Sequence, residues 1–341
     1  MSMYELFDLY EKKKPEIRMD AGQLDIPPDS RIVEELRKYM DEFKYAPTSG
    51  LEELRGKIAE IHGVEASETV VVPGAKFGIA ALLHGVKDVT LIAPHWPGYR
   101  HIAELNKANL HVIRTSLEHG WMPDEEFEVK GALVINYPNN PTGVVADKRF
   151  LEFLRESTRG LIVSDETYSD IYYDGKPASI IDLNFENCAL VYSFSKTFSF
   201  PALRLGYVIA PRDVVKKVVE YIRATVTCVS PFIQRAAILA LELKNEIGEK
   251  IRKTLHERVK VFSSTLGSCG FRFLEPRGAF YFFIDVEEDG TVFSRRLLDK
   301  GVSVFPGEFF GEYRTFIRAS LTVPREKLVK AAKLFCEVAR N

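Results

Sequence analysis

The amino-acid sequence predicts an α/β protein, a seven-stranded, mainly parallel sheet between layers of helix, followed by a smaller α+β domain. Seven short apolar runs alternate with helix-length segments up to about Pro211, the pattern of repeated strand–helix–strand units. The runs are apolar at almost every position rather than every second one, so both faces of each strand are covered. Beyond Pro211 a long helical stretch is followed by four more strand-like runs. At 341 residues the chain exceeds one ordinary core, and two domains are expected.

Thr69–Val72 is the first strand candidate, and Gly74-Ala75-Lys76 after it opens an Ala/Leu-rich helix ending near His84. Val89–Ala93 leads into Pro94-His95-Trp96-Pro97-Gly98-Tyr99, and Leu110–Thr115 follows. Ala132–Asn136 ends in Tyr137-Pro138-Asn139-Asn140-Pro141-Thr142-Gly143, a string of turn formers. Gly160–Ser164 runs into Asp165-Glu166-Thr167-Tyr168, and Ala189–Ser193 into Phe194-Ser195-Lys196-Thr197. Gly206–Ala210 completes the seven. A helical stretch from Val214 to about Leu266, broken at Ser230-Pro231, precedes Phe271–Leu274, Ala279–Val286, Val302–Phe305 and Thr315–Ser320.

Taken alone, a lysine after a strand is an ordinary solvated loop residue. Lys196, however, stands with Ser193 and with Arg204 eight residues on. A buried or charge-flanked lysine loses its proton more readily and can condense with an aldehyde. Serine and arginine are donor types that hold a phosphate, arginine by a bidentate fork. An aldehyde bearing a phosphate is pyridoxal 5′-phosphate, and two further segments supply what that cofactor needs. Asp165 is a carboxylate able to keep a pyridinium nitrogen protonated; Asn140 and Tyr168 are donors for the ring's phenolate oxygen. All three segments follow strands, and ligands of open α/β sheets collect beyond the strands' carboxyl ends.

Together these strings resemble the fold-type I, class I/II aminotransferases, the aspartate aminotransferase superfamily, in order from about Gly22 to the C-terminus. The resemblance implies the pyridoxal-phosphate-dependent transferase fold, with residues 41–228 as the large cofactor-binding domain and residues 1–40 and 229–341 as the small one. It implies catalytic roles for Lys196, Asp165 and Tyr168. A phosphate cup is implied at Gly74, Ala75 and Lys76, where a helix begins and its N–H groups and dipole attract an anion; whether Lys76 contributes its side chain or only its backbone stays open. Trp96 matches the aromatic that stacks on the cofactor ring. Arg318, costly to bury in an apolar strand without a partner, matches the fork for the substrate's α-carboxylate. Gly22 matches the backbone lining the substrate pocket, although Gln23 and Leu24 depart from the usual string there. Tyr45 matches a tyrosine that crosses a two-fold interface to the partner's cofactor phosphate, which implies a homodimer with shared active sites.

Composition excludes other classes. Hydrophobic residues make up 46 % and charged residues 28 % of the chain, with a net charge of −2, as in ordinary soluble globular proteins. The densest basic run is Lys12-Lys13-Lys14, so neither nucleic acid nor a membrane surface is an expected partner. Cys188, Cys228, Cys269 and Cys336 are scattered and predict neither a disulfide framework nor a zinc site; no histidine spacing suggests a metal. No apolar stretch spans a bilayer and no signal-peptide pattern opens the chain, so a cytoplasmic location is expected. A DNA-binding regulator built on this fold is not expected, because Gly22 lies too near the first residue for an added domain.

The function expected is transamination between an amino acid, of aspartate or aromatic type, and a 2-oxo acid such as 2-oxoglutarate. The chain's shortness is similar to histidinol-phosphate aminotransferases, whereas Tyr45-Ala46-Pro47-Thr48-Ser49-Gly50-Leu51 and Phe305-Pro306-Gly307-Glu308-Phe309-Phe310-Gly311 resemble the aspartate and aromatic branch. A pyridoxal-phosphate lyase or decarboxylase would use the same cofactor site. Arg223, Arg277 and Arg314 are the candidates for reading the substrate's side chain.

Overall fold

The computed structural model describes residues 3–124, 127–183 and 186–340. Its strands in chain order are β1 (Ile17–Arg18), β2 (Thr69–Val72), β3 (Asp88–Ala93), β4 (Asn109–Arg114), β5 (Ala132–Asn136), β6 (Ile162–Asp165), β7 (Cys188–Ser193), β8 (Gly206–Ile209), β9 (Arg272–Phe273), β10 (Tyr281–Asp285), β11 (Val302–Ser303), β12 (Phe305–Pro306) and β13 (Phe316–Ser320). The helices are α1 (Met3–Lys13), α2 (Ser30–Lys38), α3 (Glu52–His62), α4 (Ala75–Leu82), α5 (Pro97–Leu105), α6 (Lys148–Ser157), α7 (Phe194–Thr197), α8 (Arg212–Thr225), α9 (Pro231–Glu242), α10 (Lys244–Ser268), α11 (Gly290–Asp299) and α12 (Arg325–Ala339).

Seven strands form one sheet in the order β2-β8-β7-β6-β5-β3-β4. All neighbours run parallel except β8, which is antiparallel to both β2 and β7. Apolar residues at successive positions feed opposite faces. Val70, Val89, Val134, Val163, Val191 and Val208 enter one core, while Val71, Leu133, Ile162, Leu190 and Ile209 enter the other. The continuous apolar runs are therefore two interleaved period-2 patterns, each covered by helices. Of the two edge strands, β2 is buried along its length and β4 leaves polar ends at Asn109 and Arg114 exposed.

The position of the site follows from strand direction. In the parallel register Asn136 stands beside Asp165, at the carboxyl ends of β5 and β6. Because β8 runs backwards, its first residue, Gly206, pairs with Ser193 at the end of β7 and with Val72 at the end of β2. One edge of the sheet thus receives Asn140, Asp165, Lys196, Gly74 and, immediately before β8, Arg204.

The later strands form an antiparallel sheet, β12-β13-β10-β9. The run expected as one strand at Val302–Phe305 is two: Val302 and Ser303 pair with β1, and Phe305 pairs with Arg318. The helical stretch has a second break, at Leu243, besides the expected one before Pro231. The N-terminal segment is stitched to these elements by Met19 N–H to the Ser303 carbonyl (3.0 Å) and Ser320 N–H to the Met19 carbonyl (2.8 Å).

The cysteine reading needs correction. Cys269, at the end of α10, and Cys336, in α12, form a disulfide with their Cα atoms 5.7 Å apart. Packing of α10 on α12 creates this proximity, and a separation of 67 residues carries no local signal of it. Closing so long a loop restricts the unfolded chain, so Cys336→Ser is expected to lower stability by about 2–4 kcal/mol. Thermal denaturation of the two proteins without reductant measures the difference, which should vanish once reductant is added.

Candidate active site

A cavity of about 670 Å³ opens at the carboxyl edge of the large sheet. Gly22, Ala75, Lys76, Trp96, Asn140, Asp165, Tyr168, Ser193, Lys196, Arg204 and Arg318, all singled out from the sequence, line it. Gly74 stands behind Arg204, where an added Cβ would lie 2.6 Å from a guanidinium nitrogen. Tyr45 is 85 % exposed and does not line the cavity of its own subunit. Nor do Arg223, Arg277 or Arg314: Arg223 pairs with Glu220, and Arg277 with Asp174, at the surface.

Asp165 is buried at the end of β6. Its carboxylate accepts the Tyr99 hydroxyl (2.6 Å) and the Thr167 N–H (3.1 Å). Burial pushes its pKa up, while these two donors and the nearby Lys196 pull it back. Such a carboxylate is held in one orientation and gains from any cation placed against it, which suits a pyridinium. The Asn136 side chain ties two turns together, donating to the Asp165 carbonyl (2.8 Å) and accepting the Asn140 N–H (2.9 Å).

Lys196 lies in α7, a single helical turn capped by Ser193, whose hydroxyl oxygen accepts the Ser195 N–H (3.2 Å). The Lys196 amine donates to the Gly22 carbonyl. Burial, helped by the Arg318 and Arg204 cations and opposed by Asp165, lowers its pKa to about 8. At pH 7 about a tenth is therefore the neutral, nucleophilic amine, against less than about a thousandth for an ordinary lysine.

Arg204 adopts the left-handed conformation, φ 52° and ψ 59°, uncommon for a residue with a Cβ and frequent at functional sites. Its guanidinium donates to the Pro201 carbonyl (2.8 Å) and passes over Gly74. Gly74, at φ 83°, begins α4 without a side-chain cap, so the first turn of that helix offers N–H groups beside Arg204. The Lys76 amine lies 5.1 Å from the centre of the Trp96 ring. Partial burial and the neighbouring Arg204 hold its pKa below the ordinary lysine value.

Arg318 is buried in β13. It donates to the Asn140 side-chain oxygen (3.2 Å) and to the Asp20 carbonyl, and it is ringed by Tyr281, Phe305 and Phe310 at 4.7–5.2 Å. Among the described residues no carboxylate forms a salt bridge with it and its Nε finds no partner, although the Asp20 charge acts on it from a distance. A buried guanidinium with a spare donor calls for an anionic ligand.

Several residues of the site were not singled out from the sequence. Tyr99 is one, although its place three residues after Trp96, in the first turn of α5, marks it as a neighbour. Thr167, Asn136 and Ser195 belong to strings already noted, and Asp20 lies two residues before Gly22. Tyr281, Phe305, Phe310 and Phe7 reach the cavity from distant segments, and only the fold brings them in.

The set fits pyridoxal 5′-phosphate: an amine of lowered pKa, a fixed buried carboxylate, a capless helix start beside an arginine, and an aromatic wall. Comparison with known proteins agrees. The aminotransferase class I and II family matches residues 14–335. An aspartate aminotransferase of Thermococcus kodakarensis is 42 % identical over 328 residues, 94 % of this chain and 88 % of that protein. Among solved structures, aspartate aminotransferase from Thermus thermophilus with maleate superposes with a TM-score of 0.91 at 28 % identity, covering 98 % of this chain and 94 % of that one. The aromatic aminotransferase from Pyrococcus horikoshii gives 0.89 at 30 % identity, covering 99 % of both chains. The chain belongs to the class I and II aminotransferases, has the fold-type I architecture, and is a pyridoxal-phosphate-dependent transaminase. No described helix is long and apolar enough to cross a membrane.

The depressed amine is directly measurable. In the cofactor-free protein, competitive acylation of Lys196 followed by mass spectrometry should rise to half its limit near pH 8, against about 10.4 for an unperturbed lysine. Arg318→Gln removes a like charge and should move that midpoint upward.

Proposed function

We propose that this transaminase takes dicarboxylic amino and oxo acids, aspartate with 2-oxoglutarate in particular, and also accepts aromatic amino acids. One observation carries the reading. Four cationic side chains line one cavity, Lys76, Lys196, Arg204 and Arg318, whereas its lining carboxylates are already engaged, Asp165 by Tyr99 and Thr167 and Asp20 by Arg18 and Ser303. Arg204 and the start of α4 suit the cofactor phosphate, Arg318 the substrate's α-carboxylate, and Lys196 the carbonyl carbon. That leaves Lys76, beside Trp96, for a second carboxylate. The rings of Phe7, Phe305 and Phe310 in the same cavity suit an aromatic side chain. The relatives named as aspartate and aromatic aminotransferases support both halves.

When bound, pyridoxal 5′-phosphate supplies an aldehyde that receives the amino group and a ring that takes up the electrons of the substrate's Cα–H bond. Lys196 would hold the cofactor by its carbonyl carbon, and its neutral amine would serve as the base that takes the substrate's α-proton and the acid that gives it back. Asp165 would keep a proton on the ring nitrogen. Asn140 and Tyr168 would donate to the phenolate oxygen, Trp96 would cover one ring face, and Ser193, Gly74 and Ala75 would complete the phosphate cup. Arg318 and the Gly22 backbone fix the substrate so that its Cα–H bond faces Lys196.

We further propose the large and small domains as residues 41–228 and as 1–40 with 229–341, a cytoplasmic setting, a role in amino-acid biosynthesis, and an isologous homodimer. Met40, Phe43 and Tyr45 are exposed at 58 %, 87 % and 85 % within one short segment, a cluster that a second copy would cover. Tyr45 would then reach the partner's phosphate.

Two experiments test these readings. A screen of amino donors against 2-oxoglutarate, with phosphate and CO₂ release monitored, should show aspartate fastest and neither by-product. In Lys76→Met, kcat/KM for aspartate should fall about 10- to 100-fold, the worth of one hydrogen bond to a charged group, while aromatic donors change little; equal losses would return Lys76 to the phosphate cup. Separately, subunit exchange between Tyr45→Phe and Lys196→Ala proteins should create hybrids with one intact site, so activity at limiting cofactor should exceed that of the unexchanged mixture. A monomer in sedimentation would exclude the shared site.

A further inference from the structure

Tyr281 is the first residue of β10 and lies across the β10–β13 pair from Ser320, two positions along from Arg318. Its ring lies under the Arg318 guanidinium, 4.7 Å away. Its hydroxyl is 2.9 Å from the hydroxyl of Tyr168, which stands in the turn after β6. The two oxygens are a buried pair linking the antiparallel sheet to the large one. Tyr168 makes edge contacts with the adjacent rings of Phe280 and Tyr281 at 5.4 and 5.7 Å. Gly22 closes over the pair, since a Cβ there would lie 2.8 Å from the Tyr281 oxygen and 3.2 Å from the Lys196 amine. The charged and titratable groups facing the pair are Arg318, Asp165, Tyr99 and Lys196, whose amine lies 5.9 Å from the centre of the Tyr168 ring.

Each hydroxyl has one proton, so the direction of this hydrogen bond decides what Tyr168 can do. If Tyr168 donates to Tyr281, its proton is spent there. If Tyr281 donates, the Tyr168 oxygen accepts and its own proton is free for the cavity. We propose that Tyr281 is a positioning residue for Tyr168: it donates to the Tyr168 oxygen and thereby turns the Tyr168 proton toward the phenolate oxygen of the bound cofactor. This rests on the reading of Tyr168 as a donor to that oxygen. Arg318 selects the direction, because a cation over the Tyr281 ring stabilises the negative charge that builds on a donating hydroxyl. Burial raises both phenols and Arg318 opposes that rise at each, but its guanidinium is seated on the Tyr281 ring, 4.7 Å from the ring centre. Tyr281 is thus the stronger donor, and a donor that itself accepts is strengthened in turn.

The test uses the cofactor-loaded enzyme and reads the pH midpoint of the cofactor's visible absorption band, with the thermal midpoint recorded alongside. A hydrogen bond to the phenolate oxygen favours the deprotonated form, so weakening it raises the pH midpoint. Tyr168→Phe should raise it most. Tyr281→Phe, which keeps the ring under Arg318, should raise it by about 0.3–1 unit, the worth of one neutral hydrogen bond. The double variant should match Tyr168→Phe alone, because Tyr281 acts only through Tyr168. A lowered thermal midpoint with an unmoved pH midpoint in Tyr281→Phe would make the residue structural and overturn the proposal, as would additive shifts in the double variant. An unmoved midpoint in Tyr168→Phe would overturn the reading of Tyr168 itself, and with it any role for Tyr281 through that residue.

Discussion

Everything at this site depends on holding the Lys196 amine and the Arg318 guanidinium in one cavity before any anion neutralises them. Like charges removed from water repel strongly and are poorly solvated. The structure meets this with backbone dipoles in place of carboxylates. Asp20 presents its carbonyl to Arg318, and Gly22, two residues on, presents its carbonyl to Lys196. Carbonyls satisfy hydrogen-bonding needs without adding negative charge, so both cations keep their appetite for an anion. An aspartate or glutamate side chain in the same place would hold them more firmly and would compete with the substrate.

The strap can do this only because it is itself held from outside the cavity. Asp20 is gripped by Arg18 at 2.8 Å through two oxygens and by Ser303. Asp25 forms a two-toothed ion pair with Arg258 of α10, which also donates to the Leu321 carbonyl (2.8 Å). Charge pairing is thus placed one layer back, where it fixes backbone geometry, and kept off the groups that do chemistry. Asp165 follows the same logic with opposite sign: neutral donors, the Tyr99 hydroxyl and Thr167 N–H, orient it and leave its charge for a cation placed against it.

What was legible in the sequence is what lies within a few residues of a strand end. Lys196, Asp165, Asn140 and Arg204 each sit in a short string whose composition states its chemistry, and a parallel sheet brings strand ends together by construction. The seven strands were legible because continuous apolar runs of strand length have few other uses. Contacts made by packing between distant segments left no such trace. Cys269 and Cys336 meet because two helices pack; Tyr281 reaches Tyr168 because the antiparallel sheet abuts the turn after β6; the ring around Arg318 is drawn from β10, β12 and the turn before β13. Tyr99 is an intermediate case, local to Trp96 but recognisable only once Asp165 is known to need an orienting donor.

These non-local contacts also explain why the cavity needs both sheets. The large sheet supplies the amine, the carboxylate and the uncapped helix start, and these alone could hold a cofactor. Arg318, Tyr281, Phe305 and Phe310 come from the segments after Pro231, and the Gly22 carbonyl from the N-terminal strap. Orientation of the substrate therefore depends on how the smaller elements seat against the larger sheet. The breaking of a particular bond at Cα requires that bond to stand perpendicular to the ring, a geometric condition that no single strand end can impose. On the proposed assignments the large sheet would set the cofactor's electronics, and the elements packed against it the choice among the bonds it could cleave. Reaction specificity would then be a property of the seam between them.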